Sequence, residues 1–249
     1  MDAIILAAGR GSRLGNLTSV VPKPLALLAG KPIVEWQIHA LQAAGIQKIN
    51  LVTGYASDKL IPYGDDHIYN PNWATSNMVR SLMLADSLLN TEPYIISYGD
   101  IVYRSDIISE LLDSSGDISI TFDVDWWDLW SARFADPLSD AESFQHAQGC
   151  LLSIGERVSD RALINGQYMG LLKFSPTGWL HVRNLLAGLD SLSIDKLDMT
   201  SLLRLLLQQG ITITVVPIHG GWVEVDNPSD IELYEHIIQQ DGWSHDWRV

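Results

Sequence analysis

Cysteine occurs once in the 249-residue chain, at Cys150, so no internal disulfide can form and nothing in the thiol content points to an oxidising compartment. Charge is sparse: 18% of residues are charged, against an average of about 25%. Basic residues are scarcer still, 16 against 30 acids, for a formal net charge of -14. That balance excludes the basic stripe that a nucleic-acid surface needs. No apolar run is long enough to span a bilayer, and the first residues carry neither a basic n-region nor a cleavage site. Cytoplasm, with no membrane and no nucleic-acid partner, is therefore the expectation. Gly/Ser-rich and Pro-rich linkers are missing, as are internal repeats. The 7 histidines, at 39, 67, 146, 181, 219, 236 and 245, show no metal-ligand spacing.

What is present is an ordinary globular composition, 47% hydrophobic, in which strand-like and helix-like segments alternate. "DAIILAA" (Asp2–Ala8) reads as a buried strand ending in glycine. "IVEWQIHALQAAG" sets Val34, Ile38 and Leu41 on one helical face, with Gly45 as a stop. "KINLVTG" and "PYIISYGD" read as further strands. "NMVRSLMLADSLL" has helical spacing behind Asn77 as N-cap. "DIISELLDSSG" is a short helix and "DISITFDVD" a strand. Such alternation predicts an α/β fold: a doubly wound, mostly parallel sheet with ligands at the carboxyl ends of its strands. Beyond Asp125 the pattern loosens, then returns as a strand in "GQYMGLLKFS", an apolar helix in "TSLLRLLLQQG", strands in "ITITVVPI" and "GGWVEV", and a last helix with Asp230 near its start. The expectation is one domain over 1–249, with an acceptor-binding excursion at about 123–175. The tail "DGWSHDWRV" carries no signal.

In so acidic a chain, "ILAAGRGSRLG" (Ile5–Gly15) followed by "VPKPL" (Val21–Leu25) stands out. Gly9 and Gly11 end the first strand in a turn where backbone N–H groups can approach an anion. Arg13 adds a planar multi-donor cation suited to phosphate oxygens. Lys23 lies between Pro22 and Pro24, whose fixed φ stiffens the backbone that aims it. The spacing is neither G-x-G-x-x-G nor a P-loop. A Gly-rich surface turn with scattered cations is the alternative.

These residues carry a resemblance. "LAAGRGSRL" with "PKPL" resembles the signature of nucleotidyltransferases that make NDP-sugars and CMP- or CDP-activated alcohols. "ISYGDIVY", "VDWWDLWSARFADPLSDAESF", "GQYMGLLKFS" and "WVEVDNPSDIELY" extend it along the chain, towards the phosphocholine, phosphoglutamine and phosphonate cytidylyltransferases. The resemblance implies a Rossmann-like nucleotidyltransferase fold with helices on both faces of a mixed, mostly parallel sheet. It also implies CTP as co-substrate and Mg²⁺, with Mn²⁺ as substitute. It assigns the nucleotide to Leu6, Ala7, Ala8, Gly9, Arg10, Gly11, Ser12, Arg13 and Lys23. "VTGY" and "ATSNM" are similar to segments that line the nucleoside, hence Gly54, Tyr55, Ser76 and Asn77. Lys23, Arg13 and Asp100 are the expected catalytic residues.

Joining a phosphate or phosphonate dianion to a nucleoside triphosphate brings two anions together, and this chain has few cations to neutralise them. Asp100 and Asp226 each close a predicted strand, at the sheet edge where ligands gather, and the resemblance puts a metal aspartate at each. Turn or cap roles are the alternative. Glu224 shares a sheet face with Asp226 and is expected near the metal or the acceptor. Trp126, Trp127 and Trp130 cluster with Asp123, Asp125 and Arg133, and Trp126 and Trp130 share a face if helical. Such a wall could cage an ammonium group, with Arg133 on a carboxylate or phosphate; a packed amphipathic helix is the alternative. Tyr168 and Lys173 join Trp126, Trp130, Arg133 and Glu224 as expected acceptor residues, Lys173 by its likeness to a family lysine near the acceptor phosphate. The expected partner is a small phosphate or phosphonate acceptor; oligomeric state is not legible. Rival readings are a sugar-1-phosphate nucleotidyltransferase and a non-catalytic nucleotide-sensing subunit.

Overall fold

A computed structural model describes residues 1–18, 21–240 and 242–248. The chain runs β1 (Asp2–Ala7), a small hairpin of β2 (Leu27–Leu28) and β3 (Lys31–Pro32), α1 (Ile33–Ala43), β4 (Ile49–Thr53) and β5 (Asp66–Tyr69). Next come α2 (Met78–Met83), α3 (Asp86–Leu89), β6 (Tyr94–Tyr98), β7 (Ile101–Tyr103), α4 (Ser105–Asp113), β8 (Ile118–Asp123) and α5 (Trp126–Arg133). It continues through β9 (Glu142–Ala147), β10 (Cys150–Arg157), β11 (Gln167–Phe174), α6 (Pro176–Ala187), α7 (Ser191–Lys196) and α8 (Met199–Gln208). β12 (Thr214–Ile218), β13 (Trp222–Glu224) and α9 (Pro228–Ile237) complete it.

Nine strands form one sheet, in the order β5-β4-β1-β6-β11-β8-β12-β10-β9. β5, β4, β1 and β6 run parallel to one another, as do β8 and β12. β11 lies antiparallel between β6 and β8, and the β9–β10 hairpin closes the far edge. The sheet is thus mixed and mostly parallel, with helices on both faces, as the alternation predicts. The two-residue period of β1 shows why. Ala3, Ile5 and Ala7 pack with residues of α1, α4, α5 and α9, while Ile4 packs on the other face with residues of α2, α6 and α8.

Helix ends follow local chemistry. The Ser175 hydroxyl accepts from Gly178 N–H ahead of Pro176, and Asp198 accepts from Ser201 N–H at the start of α8. Asn227 and Asp230 form a reciprocal capping box on α9. Asn77 accepts from Met78 N–H, as expected, but its helix breaks at Ala85 into α2 and α3. The β9–β10 hairpin falls in the stretch that reads as loose. β9 is mostly polar and the apolar residues of β10 do not alternate, while the turn uses positive φ at both Gln148 (51°) and Gly149 (76°), the geometry that matches strand twist. No helix among the described residues is long and apolar enough to cross a membrane.

The tail is a structural clasp. Asp123, at the end of β8, is fully buried. Its Oδ2 accepts from Trp222 Nε1 at 3.0 Å and meets His245 Nε2 at 2.8 Å, while Oδ1 accepts from Gly220 N–H at 3.1 Å and Asp125 N–H at 2.9 Å. Burial alone would raise this carboxyl. The hydrogen bond and charge of His245, with the Gly220 and Trp222 donors, outweigh it and hold Asp123 below the ordinary carboxylate range. Trp243 and Trp247 pack on Tyr234 beside it.

Because the folded value is depressed, the clasp stabilises fully above the unfolded value of about 3.9 and is lost as pH falls through the folded value. His245→Phe should cost about 3 kcal/mol or more, the scale for leaving one member of a buried pair alone. It should also shrink the loss of stability below about pH 4. Urea unfolding between pH 3 and 7 reads both.

Candidate active site

β1 delivers the chain to the Gly-rich loop at the carboxyl edge of the sheet. Gly11 has φ 71°, and a Cβ there would lie 2.5 Å from Lys23 Cβ. The loop therefore folds directly onto the stem of Lys23, which needs glycine at this point. Lys23 opens a short 3-10 turn, Lys23–Leu25, held by Leu25 N–H donating to Pro22 O at 2.9 Å. Its side chain is nearly buried, and Nζ donates to Asp100 Oδ2 and Asp226 Oδ1, both at 2.7 Å. Arg13 Nη2 reaches the same Asp226 oxygen at 3.0 Å. Burial alone would depress the Lys23 ammonium; Asp100, Asp226 and Glu224 outweigh it and raise it above its ordinary value.

A ribbon outside the main sheet assembles the acids. β6 ends at Tyr98, and Gly99 passes so close to β1 that a Cβ would lie 2.5 Å from Leu6 O. Asp100 follows, then β7, which pairs antiparallel with β13 in the register Ile101↔Glu224. Val225 N–H donates to Asp100 O at 2.9 Å. The carboxylates of Asp100, Glu224 and Asp226 consequently bring their oxygens within 4.8 Å of one another. Burial, then the Asp226 charge, push Glu224 up to about 7. Burial would raise Asp226 too, but Lys23 outweighs it and holds Asp226 low. Asp100 Oδ1 is buried and has no partner among the described residues. An all-oxygen set with one oxygen unpaired fits a hard divalent cation. Glu224, expected near the metal or the acceptor, stands with the two aspartates and also lines the second of two clefts.

Two clefts meet here. The first, about 230 Å³, is lined by Leu6, Ala7, Ala8, Gly9, Gly11, Arg13, Lys23, Ser76, Asn77 and Asp100. Of the other residues expected at the nucleotide, Arg10, Ser12, Gly54 and Tyr55 do not line it. Gly54 instead lets the loop pack, since a Cβ there would lie 2.7 Å from Ala8 O and 2.5 Å from Trp73 Cβ. Tyr55 N–H donates to Ala8 O at 3.0 Å, and the Arg10 guanidinium stands 5.4 Å from the Tyr55 ring centre. Trp73 and Tyr98 also line this cleft; neither belongs to the Gly-rich loop, and their aromatic side chains carry no phosphate-binding signal of their own.

The second cleft, about 330 Å³, shares Arg13, Met78 and Tyr98 with the first. It takes in Trp130, Tyr168, Glu224 and Asp226, together with Asp140, Glu142, Arg157 and Asp198. The last four carried no signal because they sit in polar or cap positions. Three expected acceptor residues lie elsewhere. Trp126 is 3% exposed and packs edge-on against Trp127 and Trp130 in the core. α5 is helical as supposed, but its aromatic face turns inward. Trp130 Nε1 donates to Asp140 at 3.2 Å, and the Trp127 ring is covered by Arg161 at 3.9 Å, so no open aromatic cage exists there. Lys173 lies where β11 meets the start of β8, opposite Ser119, and its Nζ donates to Leu112 O and Ser114 O, at the end of the sheet away from the clefts.

Arg133 is the third, and it works from beneath. Its side chain is 1% exposed; Nη1 donates to Glu224 at 3.1 Å, while Nε and Nη2 donate to Asp230 at 3.2 and 3.3 Å. Asp230 Oδ2 in turn accepts from Asp226 N–H and Asn227 N–H, both at 2.8 Å. Arg133 and Asp230 brace the backbone and carboxylates of the acid cluster, so a helix-start acid serves the site as well as the helix.

The description of a MobA-like NTP transferase domain matches residues 3–154. The CTP:phosphoglutamine cytidylyltransferase of Campylobacter jejuni serotype O:2 is 36% identical over 94% of this chain and 98% of its own. The structure of the inositol-1-phosphate CTP transferase from T. maritima superposes with a TM-score of 0.74 at 19% identity, covering 97% of this chain and 98% of that one. That of the CTP:phosphocholine cytidylyltransferase from Streptococcus pneumoniae gives 0.68 at 20% identity, covering 95% and 98%.

Arg133→Met should leave Glu224 and Asp230 without their counterion and cost about 3–5 kcal/mol. Arg133→Lys should recover only part, since one ammonium cannot replace the fork that spans two carboxylates. Urea midpoints of the three proteins check the order.

Proposed function

The chain belongs to the MobA-like NTP transferase family, and from that premise we propose that it is a Mg²⁺-dependent cytidylyltransferase. It transfers CMP from CTP to a small phosphorylated or phosphonic metabolite of phosphoglutamine-like type and releases pyrophosphate. The observation that carries the reading is the junction of two clefts at Arg13, beside Lys23 and three carboxylates. One cleft takes the triphosphate and the other the acceptor. Likeness to the C. jejuni enzyme over nearly the whole of both chains supports cytosine and the acceptor class. The acceptor cleft draws Trp130, Asp140, Glu142 and Tyr168 from the 123–175 excursion of a single domain.

An oxygen of the acceptor phosphate or phosphonate attacks the α-phosphorus of CTP. A new P–O–P linkage forms, the bond from the α-phosphorus to the bridging oxygen breaks, and its electron pair leaves on pyrophosphate. The acceptor enters as an anion, so no proton need be removed from it. Lys23 and Arg13 offset the charge that builds up on the α-phosphoryl oxygens, and the Gly9–Gly11 backbone lets the triphosphate approach closely. Asp100, Asp226 and Glu224 would hold Mg²⁺, or Mn²⁺ in its stead, which when bound neutralises phosphate charge. Arg133 and Asp230 keep those carboxylates in place.

Pyrophosphate release with each nucleoside triphosphate, against phosphoglutamine, phosphonates, phosphocholine and sugar 1-phosphates, tests the reading. CTP should be preferred; turnover with UTP, dTTP or GTP and a sugar phosphate instead would replace it with a sugar-1-phosphate nucleotidyltransferase. Lys23→Ala should lower kcat about 10²-fold or more, the scale for losing one electrostatic stabiliser. A chelator should abolish turnover and Mg²⁺ or Mn²⁺ restore it, with Asp100→Asn and Asp226→Asn resisting rescue.

A further inference from the structure

The lining of the first cleft comes mainly from two stretches of chain, the Gly-rich loop with Lys23 and residues 73–81. Arg13 and Lys23 stand on the first; Ser76, Asn77 and Ser81 stand on the second. A nucleoside triphosphate that lays its phosphates along the first stretch turns its base to the second. We propose that the Ser81 hydroxyl reads the base as a hydrogen-bond donor to its 3-position, and that buried Asn70 is the positioning residue that fixes the direction of that proton. The inference rests on the cytidylyltransferase reading above and names the side chain that separates cytosine from uracil.

The direction of each hydroxyl follows from counting donors against acceptors. Asn70 follows β5, and its N–H donates to Thr53 O at 2.7 Å. The residue is 1% exposed. Asn72 N–H donates to Asn70 Oδ1 at 2.9 Å, which fixes the amide so that Nδ2 faces the serines. Nδ2 donates to Ser76 Oγ at 3.1 Å and to Ser81 Oγ at 2.9 Å, which uses both of its hydrogens. Each serine oxygen is therefore an acceptor towards Asn70, and each proton points elsewhere. Ser76 gives its proton to Asn72 O at 2.8 Å. The Ser81 proton has no acceptor among the described residues. A helical serine often turns its proton to the carbonyl four residues back; here Asn77 O accepts Ser81 N–H at 3.3 Å, and no bond from Oγ reaches it. Asn77 itself commits its side-chain oxygen to Met78 N–H at 2.8 Å and an amide hydrogen to Lys196 O at 3.4 Å.

Ser81 is buried yet lines the cleft, so its proton is withheld from bulk water and offered to whatever fills that space. A buried donor without an acceptor is costly, and a ligand acceptor relieves the cost. Cytosine carries a bare ring nitrogen at the 3-position, which accepts. Uracil and thymine carry N–H there, which donates. With uracil, donor would meet donor. Turning a serine lone pair to the base instead would aim the proton at the Asn70 amide or leave it without an acceptor. A serine hydroxyl alone rotates and reads either base; the fixed amide behind it makes it selective. A site built to match a polar edge rejects the edge of opposite sense because buried polar groups are then left unpaired.

Calorimetric titration of the full chain with CTP and with UTP in Mg²⁺, without acceptor, reads base preference apart from turnover. In Ser81→Ala, CTP should bind about five- to tenfold more weakly, the scale of one hydrogen bond, while UTP moves by less than about twofold. A merely structural role for Ser81 would weaken both nucleotides alike. In Asn70→Asp the side chain accepts where it donated, which draws the Ser81 proton inward and turns a lone pair to the cleft. The ratio of CTP to UTP affinity should then fall at least about tenfold. Thermal melting checks that each variant is folded, and if Asn70→Asp does not fold, Ser81→Ala decides. A ratio in Ser81→Ala within about twofold of the wild type overturns the proposal and leaves the cytidylyltransferase reading intact. An undiminished ratio in folded Asn70→Asp overturns the positioning role of Asn70. A wild type that binds UTP as tightly as CTP overturns both the reading and the proposal.

Discussion

Three carboxylates whose oxygens lie within 4.8 Å of one another repel strongly in a half-buried setting unless a positive charge stands among them. In this chain the positive charge is the Lys23 ammonium, with Arg13 at its flank. Much of the local sequence exists to make that contact possible. Two prolines stiffen the backbone around Lys23, and Gly11 clears the space its stem crosses. The β7–β13 ribbon carries Asp100 and Asp226 to the same point from distant parts of the chain. The fold is organised around holding like charges together, and the same electrostatic excess suits the site to polyphosphate and a hard cation.

Legibility from sequence followed the physics of each signal. Buried parallel strands announce themselves as short apolar runs, so β1, β4, β6 and β8 were readable, and the strand-ending positions of Asp100 and Asp226 with them. The Gly-rich loop was readable because glycine and cation spacing act over neighbouring residues. The β9–β10 hairpin was not, because its apolar residues do not alternate and its turn depends on a positive φ at Gln148, which sequence does not advertise. His245 is the clearest omission. A histidine in a featureless tail becomes a fully buried partner of Asp123 only through contact across the fold, and no local pattern encodes that.

The acceptor side shows how composition misleads. A run of tryptophans beside acids invites an aromatic cage, yet the rings of α5 pack on one another and on Trp222, and the acids that remain open lie on β9 and at the cap of α8. Arg133 tells the same story in reverse. Its charge suggested a ligand, whereas its burial and its fork across Glu224 and Asp230 make it an internal brace. An arginine that is nearly inaccessible and already bound to two carboxylates has little left to offer a substrate.

The antiparallel strand β11 joins the two halves of the sheet. It is hydrogen-bonded to β6 from Leu171 to Phe174 and to β8 on its other side, but its register with β8 shifts between Tyr168 and Leu172, where Gly170 takes φ 85°. Beyond that point, towards the clefts, the ladder to β6 ends and the rings of Tyr98 and Tyr168 meet edge-on. The sheet is therefore stitched along one edge and forked along the other. In outline it is a tuning fork: a hydrogen-bonded handle, where Lys173 is tied to the end of α4, and two tines, one bearing the Gly-rich loop and the other lining the second cleft. What joins the tines is therefore side-chain packing rather than a ladder: the space beside Gly170 is already filled by the Tyr98 ring, which a Cβ there would meet at 2.6 Å.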